Sequence, residues 1–335
     1  MSETESEQII RFIQSLLIVY TCLAYTYAIG KIVPSGKVRS LFISPVVAVF
    51  LLLPLRFTSV ALCSGTGLFI SWVANFKLAL FSFGKGPLAS DYQTITFSRF
   101  LAVGSLPLIL SSKSKMKEKR LDNNIDHDDS MKARLFAVKI LLFALVYKLF
   151  KFEAQLLHPA ISFSMYGVHL GLTLEFFVFR CRAVVEALLG LELEPQFNEP
   201  ILSTSVQNFW GQRWNLAVGN ILRVSVYDPV RALLSPHVGS KHAQRLSVLA
   251  TFGVSSAMHE IIFFYLSRKR PTWDMTGFFL LHGVTVVVET EVKRRIGQKW
   301  RLPRLVSILL TLSFMSVTAF LVFSPKLYHC FDMHV

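Results

Sequence analysis

The sequence predicts an all-α fold, a polytopic integral membrane helical bundle of about eight spans joined in places by short interfacial helices. Three observations carry that expectation. Of 335 residues, 53% are hydrophobic and 17% charged, against roughly a quarter charged in an ordinary soluble domain. The apolar residues gather in runs of about 20, the length that crosses a bilayer core at helical rise. Finally, 35 Lys+Arg against 21 Asp+Glu give a net +14, concentrated between those runs, where basic loops face an anionic leaflet. In a polar chain the same charge would suggest nucleic acid. With a mean hydropathy of +0.49, no nucleic-acid partner is expected. The 29 Phe exclude a disordered chain. Cys22, Cys63, Cys181 and Cys330 show no C-x-x-C spacing, which argues against a disulfide scaffold or zinc ribbon.

Taken in order, the first span is Ile9–Ile29, and the acidic MSETESEQ before it lacks the basic n-region of a cleaved signal, so the helix is expected to be retained. Spans follow at Val38–Leu55, Thr58–Phe83, Ala133–Phe150, Ala160–Phe179, Leu246–Leu266, Trp273–Glu289 and Leu305–Phe323. Phe97–Leu110 and Ala183–Leu193 are too short to span and are expected at the interface or re-entrant. Residues 112–132, charged in both signs and without aromatics, are expected to form a disordered cytosolic loop. The rest is one integral domain over 1–335, in which 181–245 forms a cytosolic or interfacial segment. Lys31, Lys37, Arg39, the Lys113–Arg120 cluster and the 293–304 cluster all fall on one side, which the positive-inside rule makes cytosolic. Arg268, Lys269 and Arg270 fall on the other side and violate the rule.

Two places carry chemistry. In 181–245, Pro195 and Pro200 set an extended lead-in, and Ser203, Thr204 and Ser205 offer caps for a helix from Val206. That helix is expected to carry Phe209, Trp210, Arg213, Trp214, Asn215 and Asn220, with Trp210 and Trp214 sharing a face. One reading is an amphipathic interfacial helix anchored by Trp and Arg. The other gives the polar groups a task, with Arg213 and Arg223 meeting the phosphates of an anionic cofactor such as coenzyme A.

The second place is LSVLATFGVSSAMHEIIFFYL, which sets His259 and Glu260 deep in an apolar helix. Intramembrane ionisable groups are costly and mark function by default. Ser255 and Ser256 lie one turn before His259, with Gly253 near, so a substrate chain or a second helix can approach closely. His169 and His282 are rivals, since histidines also bridge helices structurally. The nine histidines have no i, i+4 pair, which disfavours a metal site, and no Walker, G-x-S-x-G or G-x-G-x-x-G motif occurs.

EPQFNEPILSTSVQNFWGQRWN followed by FGVSSAMHEIIFFY resembles the plant wax synthase (long-chain-alcohol O-fatty-acyltransferase) group of the membrane-bound O-acyltransferases, a group that also includes plant sterol acyltransferases. WVANFKLALFSFGKGPL (Trp72–Leu88) and RPTWDMTGFFLLHG extend the likeness across nearly the whole chain. The resemblance implies transfer of a fatty acyl group from acyl-CoA, as co-substrate, to a long-chain alcohol or sterol at the endoplasmic reticulum membrane, with no bound cofactor. It implies His259 and Asn215 as the core residues. Trp210, Arg213, Trp214, Ser255, Ser256 and Glu260 join them as expected substrate contacts. The chemistry suits the residues: a positioned neutral imidazole can take the hydroxyl proton, and an amide can donate to the developing oxyanion. No Ser or Cys stands in a nucleophile setting, so direct transfer is expected. From another class, a lipid transporter or lipid-binding protein would use the intramembrane His169, Glu175, His259 and Glu289, although no internal repeat supports it.

Overall fold

The computed structural model describes residues 5–89, 92, 95–106, 125–153, 159–190, 193, 195–297 and 302–331, and the elements among them are helices and turns. Helices α1 (Glu5–Ile32) and α2 (Lys37–Leu52) form a hairpin, and α2 tightens into a 3₁₀ turn, Leu53–Arg56, at Pro54. Helix α3 (Val60–Thr66) runs through a π-helical stretch, Gly67–Ala74, into α4 (Asn75–Ser82) as one rod. The short α5 (Phe97–Ser105), capped by the Thr96 hydroxyl, packs on α1. Helices α6 (Ile125–Glu153) and α7 (Pro159–Leu189) make a second hairpin.

Beyond α7 lies an irregular lead-in and then a broken helical run: α8 (Val206–Asn208), a π turn (Phe209–Arg213), α9 (Leu216–Leu222), a second π turn (Arg223–Tyr227) and α10 (Asp228–Val238). The chain ends in three long helices, α11 (Ser240–Ser267), α12 (Asp274–Ile296) and α13 (Arg304–Phe331).

Among the described residues, five helical segments are long and apolar enough to cross a membrane: Ser6–Ile32, Lys37–Arg56, Ser240–Ser267, Asp274–Ile296 and Arg304–Val322. These match five of the expected spans, and the chain is a multi-pass membrane protein. The other three expected spans are also helical, in the α3–α4 rod and in α6 and α7. Large side chains such as Leu41, Leu145, Leu309 and Leu321 stand exposed on these helices, as lipid-facing positions must be.

Three expectations change. Ala183–Leu193 is not a separate interfacial piece, because α7 continues unbroken to Leu189. The apolar run Ala183–Leu189 prolongs the helix, so the lipid boundary is not a helix boundary. The expected loop 112–132 lies outside the described residues up to 124, and from Ile125 the chain is already helical. The helix expected from Val206 to Asn220 breaks at Trp214 and Asn215, for reasons that belong to the site.

The main apolar core joins α1, α2, α4 and α5 through buried Leu23, Ile43, Phe50, Leu78, Phe81, Phe100 and Val103. Rings of Tyr27, Phe81, Tyr92 and Phe100 meet edge-on here, with centroids 4.9–6.0 Å apart. Gly30 permits this cluster, since a Cβ there would fall 2.5 Å from both the Phe81 ring and the Tyr92 hydroxyl. Tyr92, in the turn after α4, donates to the Tyr27 carbonyl, and burial pushes its phenol up to about 12.

Basic side chains close helix ends around this core. Lys77 is 1% exposed and donates to the carbonyls of Val103 (2.6 Å) and Leu106 (2.5 Å) at the C-terminus of α5, where the helix dipole favours a positive charge. Arg39 closes α1 in the same way, through the carbonyls of Gly30 and Val33. Arg268, the left-handed cap of α11, gives its Nη2 to the carbonyls of Pro54 (3.4 Å), Leu55 (3.2 Å) and Phe57 (3.1 Å). This places the cluster that violates the charge rule. Arg268 is a tertiary cap on the end of α2, exposed like Lys269 and Arg270 but engaged by these three carbonyls.

Candidate active site

Helices α11 and α12 form the wall on which the site is built. They approach closely where Gly283 meets Phe252: a Cβ on Gly283 would lie 3.0 Å from the Phe252 side chain. At one end Glu260 of α11 is 5% exposed and accepts from the Thr276 backbone N–H (3.1 Å) and hydroxyl (3.4 Å) in the first turn of α12. A carboxylate so placed satisfies an orphan donor and meets the positive end of the helix dipole. Glu260 therefore serves the join between α11 and α12.

His259, one residue earlier, points to a different neighbourhood. Its ring sits edge-on to Trp72 (centroids 5.0 Å, 74°) and against Phe279 of α12 (4.3 Å, 34°). Trp72 reaches it from the π-helical stretch, whose extra residue per turn re-aims side chains out of α-helical register. The π stretch abuts α11, with Ser71 hydrogen-bonded to the Tyr265 hydroxyl at 2.9 Å. His259 Nδ1 lies 2.7 Å from the Ser255 carbonyl oxygen. A carbonyl only accepts, so Nδ1 carries the proton, and in the neutral ring Nε2 keeps its lone pair. Among the described residues nothing hydrogen-bonds Nε2. Of the two serines, Ser255 contributes this carbonyl, while the Ser256 hydroxyl turns back onto the Gly253 carbonyl at 2.7 Å.

His282 of α12 is the opposite case. It is fully buried, and the Trp210 indole donates to its Nδ1 at 3.1 Å. The indole only donates, so Nδ1 is the acceptor and Nε2–H donates to Thr318 Oγ1 of α13 at 2.9 Å. Thr318 passes its own hydrogen to the Phe314 carbonyl at 2.8 Å. The chain of bonds ties the 206–213 segment, α12 and α13 together and leaves His282 no lone pair for a substrate. His169 of α7 stacks on Phe143 at 4.6 Å, and its buried Nδ1 has no hydrogen-bond partner among the described residues.

The segment after α7 is held from both sides. Ser205 caps α8 as expected, accepting from the Asn208 N–H at 3.1 Å. Glu289 accepts from the Gln207 N–H at 2.9 Å and pairs with Lys293, which also reaches Ser205. From the other side, Lys139 of α6 pairs with Glu175 of α7 (2.6 Å) and with Glu199 of the lead-in (2.9 Å). Glu175 and Glu289, polar groups suggestive of a transport pathway in the sequence, are thus committed to docking this segment.

Trp210 and Trp214, expected on one face, diverge. Trp210 packs on Phe252, Phe279 and His282. Trp214 stacks on Phe209 (5.4 Å, 15°) and meets Phe197 edge-on. The π turn Phe209–Arg213 and the extended backbone at Trp214 spoil the four-residue register. Asn215 then adopts a left-handed conformation (φ 40°) and caps α9, its Oδ1 accepting the Val218 N–H at 3.3 Å. Asn is among the few residues that tolerate this backbone. Its amide Nδ2 is left as a donor. Arg213 spends Nε on Asn208 Oδ1 (2.7 Å) and Nη1 on the carbonyls of Asn198 and Glu199, so it shapes the lead-in and leaves Nη2 over. Arg223 is exposed and, among the described residues, pairs only with a distant Asp228 at 3.9 Å.

The structure thus gathers His259, Ser255, Trp72 and Phe279, with Trp210 meeting them through Phe279. Among the described residues Asn215 makes no hydrogen bond to these groups, and rings lie between: Trp214, Phe209, Trp210 and Phe279 in turn. Sequence reasoning missed Trp72 and Phe279 as neighbours of His259. A signal existed in the Trp72–Leu88 likeness, but a contact across nearly two hundred residues has no local trace.

The model of the membrane bound O-acyl transferase family matches residues 193–281, a stretch that holds every candidate site residue from Trp210 to Glu260. The chain is 39% identical over 320 residues to acyl-CoA–sterol O-acyltransferase 1 of Arabidopsis thaliana, covering 95% of this chain and 91% of that protein. It is 41% identical over 300 residues to the long-chain-alcohol O-fatty-acyltransferase of Simmondsia chinensis, covering 87% and 82%. A probable long-chain-alcohol O-fatty-acyltransferase 3 of Arabidopsis thaliana is 39% identical over 321 residues, covering 95% and 90%. With such identity sustained along nearly its full length, the chain is a member of the membrane-bound O-acyltransferase family.

Proposed function

We infer that this protein is an acyl-CoA-dependent O-acyltransferase that esterifies a long-chain fatty alcohol to a wax ester. The observation that carries the reading is the state of His259: with Nδ1–H committed to the Ser255 carbonyl at 2.7 Å, Nε2 is an oriented base in an apolar wall. The alcohol oxygen bonds to the thioester carbonyl carbon as Nε2 takes the hydroxyl proton. The carbon–sulfur bond then breaks, and the proton passes to the departing thiolate. Such a base contributes about 10²–10⁴-fold, and holding both lipids together supplies the orientation. Asn215, its Oδ1 committed to Val218, keeps Nδ2 as a donor for the acyl donor on the far side of the Trp214, Phe209 and Trp210 rings from the base. Trp72 and Phe279 fix the imidazole ring and keep water from it. Transfer is direct, without an acyl-enzyme, in the endoplasmic reticulum membrane, where lipid acceptor and acyl donor meet.

The alcohol is favoured because relatives named for long-chain alcohols recur at 34–41% identity. A sterol acceptor is the second reading, favoured by the sterol acyltransferase with 39% identity. Expression in yeast lacking its own neutral-lipid acyltransferases, with and without fed fatty alcohol, decides between them. Wax esters without steryl esters are expected. Steryl esters alone would reverse the assignment.

A further inference from the structure

At the end of the α11–α12 pair opposite the Glu260 join, the two helices leave a shallow surface groove lined by Lys241, Gln244 and Arg245 from α11 and Thr290, Glu291 and Arg294 from α12, above Val248 and Val287. One carboxylate sits among several cations. Glu291 pairs with Arg245 at 2.6 Å, with Arg294, and with Arg295 at 3.2 Å. Lys241, exposed beside them, makes no ion pair or hydrogen bond among the described residues. The groove therefore holds a net positive charge, with the Arg245 and Arg294 guanidiniums already oriented by one carboxylate.

Guanidiniums converging in this way match phosphate oxygens in geometry and charge. We propose that this groove binds the phosphate of an anionic phospholipid. The lipid source is favoured by what adjoins the groove. Val284, Val288 and Val292 recur every four residues along one exposed stripe of α12, and Leu246 is exposed on α11. An acyl chain leaving the groove would lie along that stripe, with its headgroup at the depth where basic pockets between helices take lipid phosphates. Arg245, Glu291 and Arg294 then do more than pair with one another: they hold the ends of α11 and α12 at the membrane surface through a bound lipid. The phosphates of coenzyme A share this chemistry, and the test separates the two sources.

The test is native mass spectrometry of the full chain taken from phosphatidylcholine nanodiscs carrying a titrated fraction of phosphatidic acid. Retention of phosphatidic acid over phosphatidylcholine is expected. Lys241→Gln and Arg294→Gln, both exposed and outside the catalytic wall, should each weaken it about five-fold. Variants that retain phosphatidic acid like the parent chain, or equal retention of phosphatidylcholine, would overturn the proposal. Displacement of the lipid by free coenzyme A would overturn the lipid as source and assign the phosphate groove to the acyl donor. The readout requires no acyl transfer, so its result stands apart from the proposed reaction.

Discussion

Around His282 every polar atom has its partner: Trp210 supplies one ring nitrogen with a donor, and Thr318 accepts from the other. Around His259, on the neighbouring helix, one nitrogen is spoken for by the Ser255 carbonyl and the rest of the ring faces aromatic carbon. Both histidines lie in apolar helices and both pack on phenylalanines. The difference is saturation. A buried histidine that completes its hydrogen bonds within the protein joins helices, and one that keeps a lone pair oriented and unspent is equipped for proton transfer. Intramembrane position marks a residue as costly, and the hydrogen-bond inventory says what the cost is for.

The largest effect expected from breaking this contrast comes from His259→Ala. Ester formation in purified membranes should fall about 10²–10⁴-fold at unchanged protein level. Activity within two-fold of the parent would remove His259 as the base. His282→Ala should act mainly on the fold. It strands the Trp210 N–H and removes the donor to Thr318 Oγ1 around a cavity, for about 2–4 kcal/mol lost and a lower thermal midpoint in detergent. His282→Gln, which can restore one of those bonds, should recover part of that loss. A His282→Ala protein that kept its thermal midpoint but lost all turnover would erase the distinction between the two histidines.

Glu260 sharpens the comparison further. Glu260→Ala takes the acceptor from the first turn of α12 and should cost about 1–2 kcal/mol, whereas Glu260→Gln keeps an oxygen for the Thr276 N–H and should cost less. Equal losses from both would mean that the charge, and not the hydrogen bond, carries the join. The smallest effect is expected for Ser256→Ala, because that hydroxyl is turned onto Gly253. Stability should move by no more than about 0.5 kcal/mol, and KM should hold. A ten-fold rise in KM would make Ser256 a substrate contact after all.

Much of the fold was legible because apolar runs must be long enough to cross a bilayer, a one-dimensional requirement. The cap at Ser205 was legible for a similar reason, since a side chain closing its own helix acts within three residues. Legibility failed where the cause is remote or where the helical period changes. The π turn at Phe209–Arg213 shifts Trp214 off the face of Trp210, and no propensity announces it. His259 could be singled out by its serines and its adjoining acid, yet Ser256 and Glu260 turn out to serve the helices themselves. Trp72 and Phe279, which frame His259, and Thr318, which holds His282, each lie on a different helix from the histidine they serve.

The Arg268 guanidinium has a consequence for how the protein is made. It binds the carbonyls of Leu55 and Phe57 from 213 and 211 residues downstream. At about 5–20 residues per second of synthesis, the end of α2 emerges some ten to forty seconds before the side chain that closes it. The N-terminal helices thus enter the bilayer with an open seam, and their assembly is completed only when the third helix from the end arrives. A ribosome stalled between the two would hold a half-protein whose first helices are inserted but not yet locked, exposed to quality control for as long as α11 is missing.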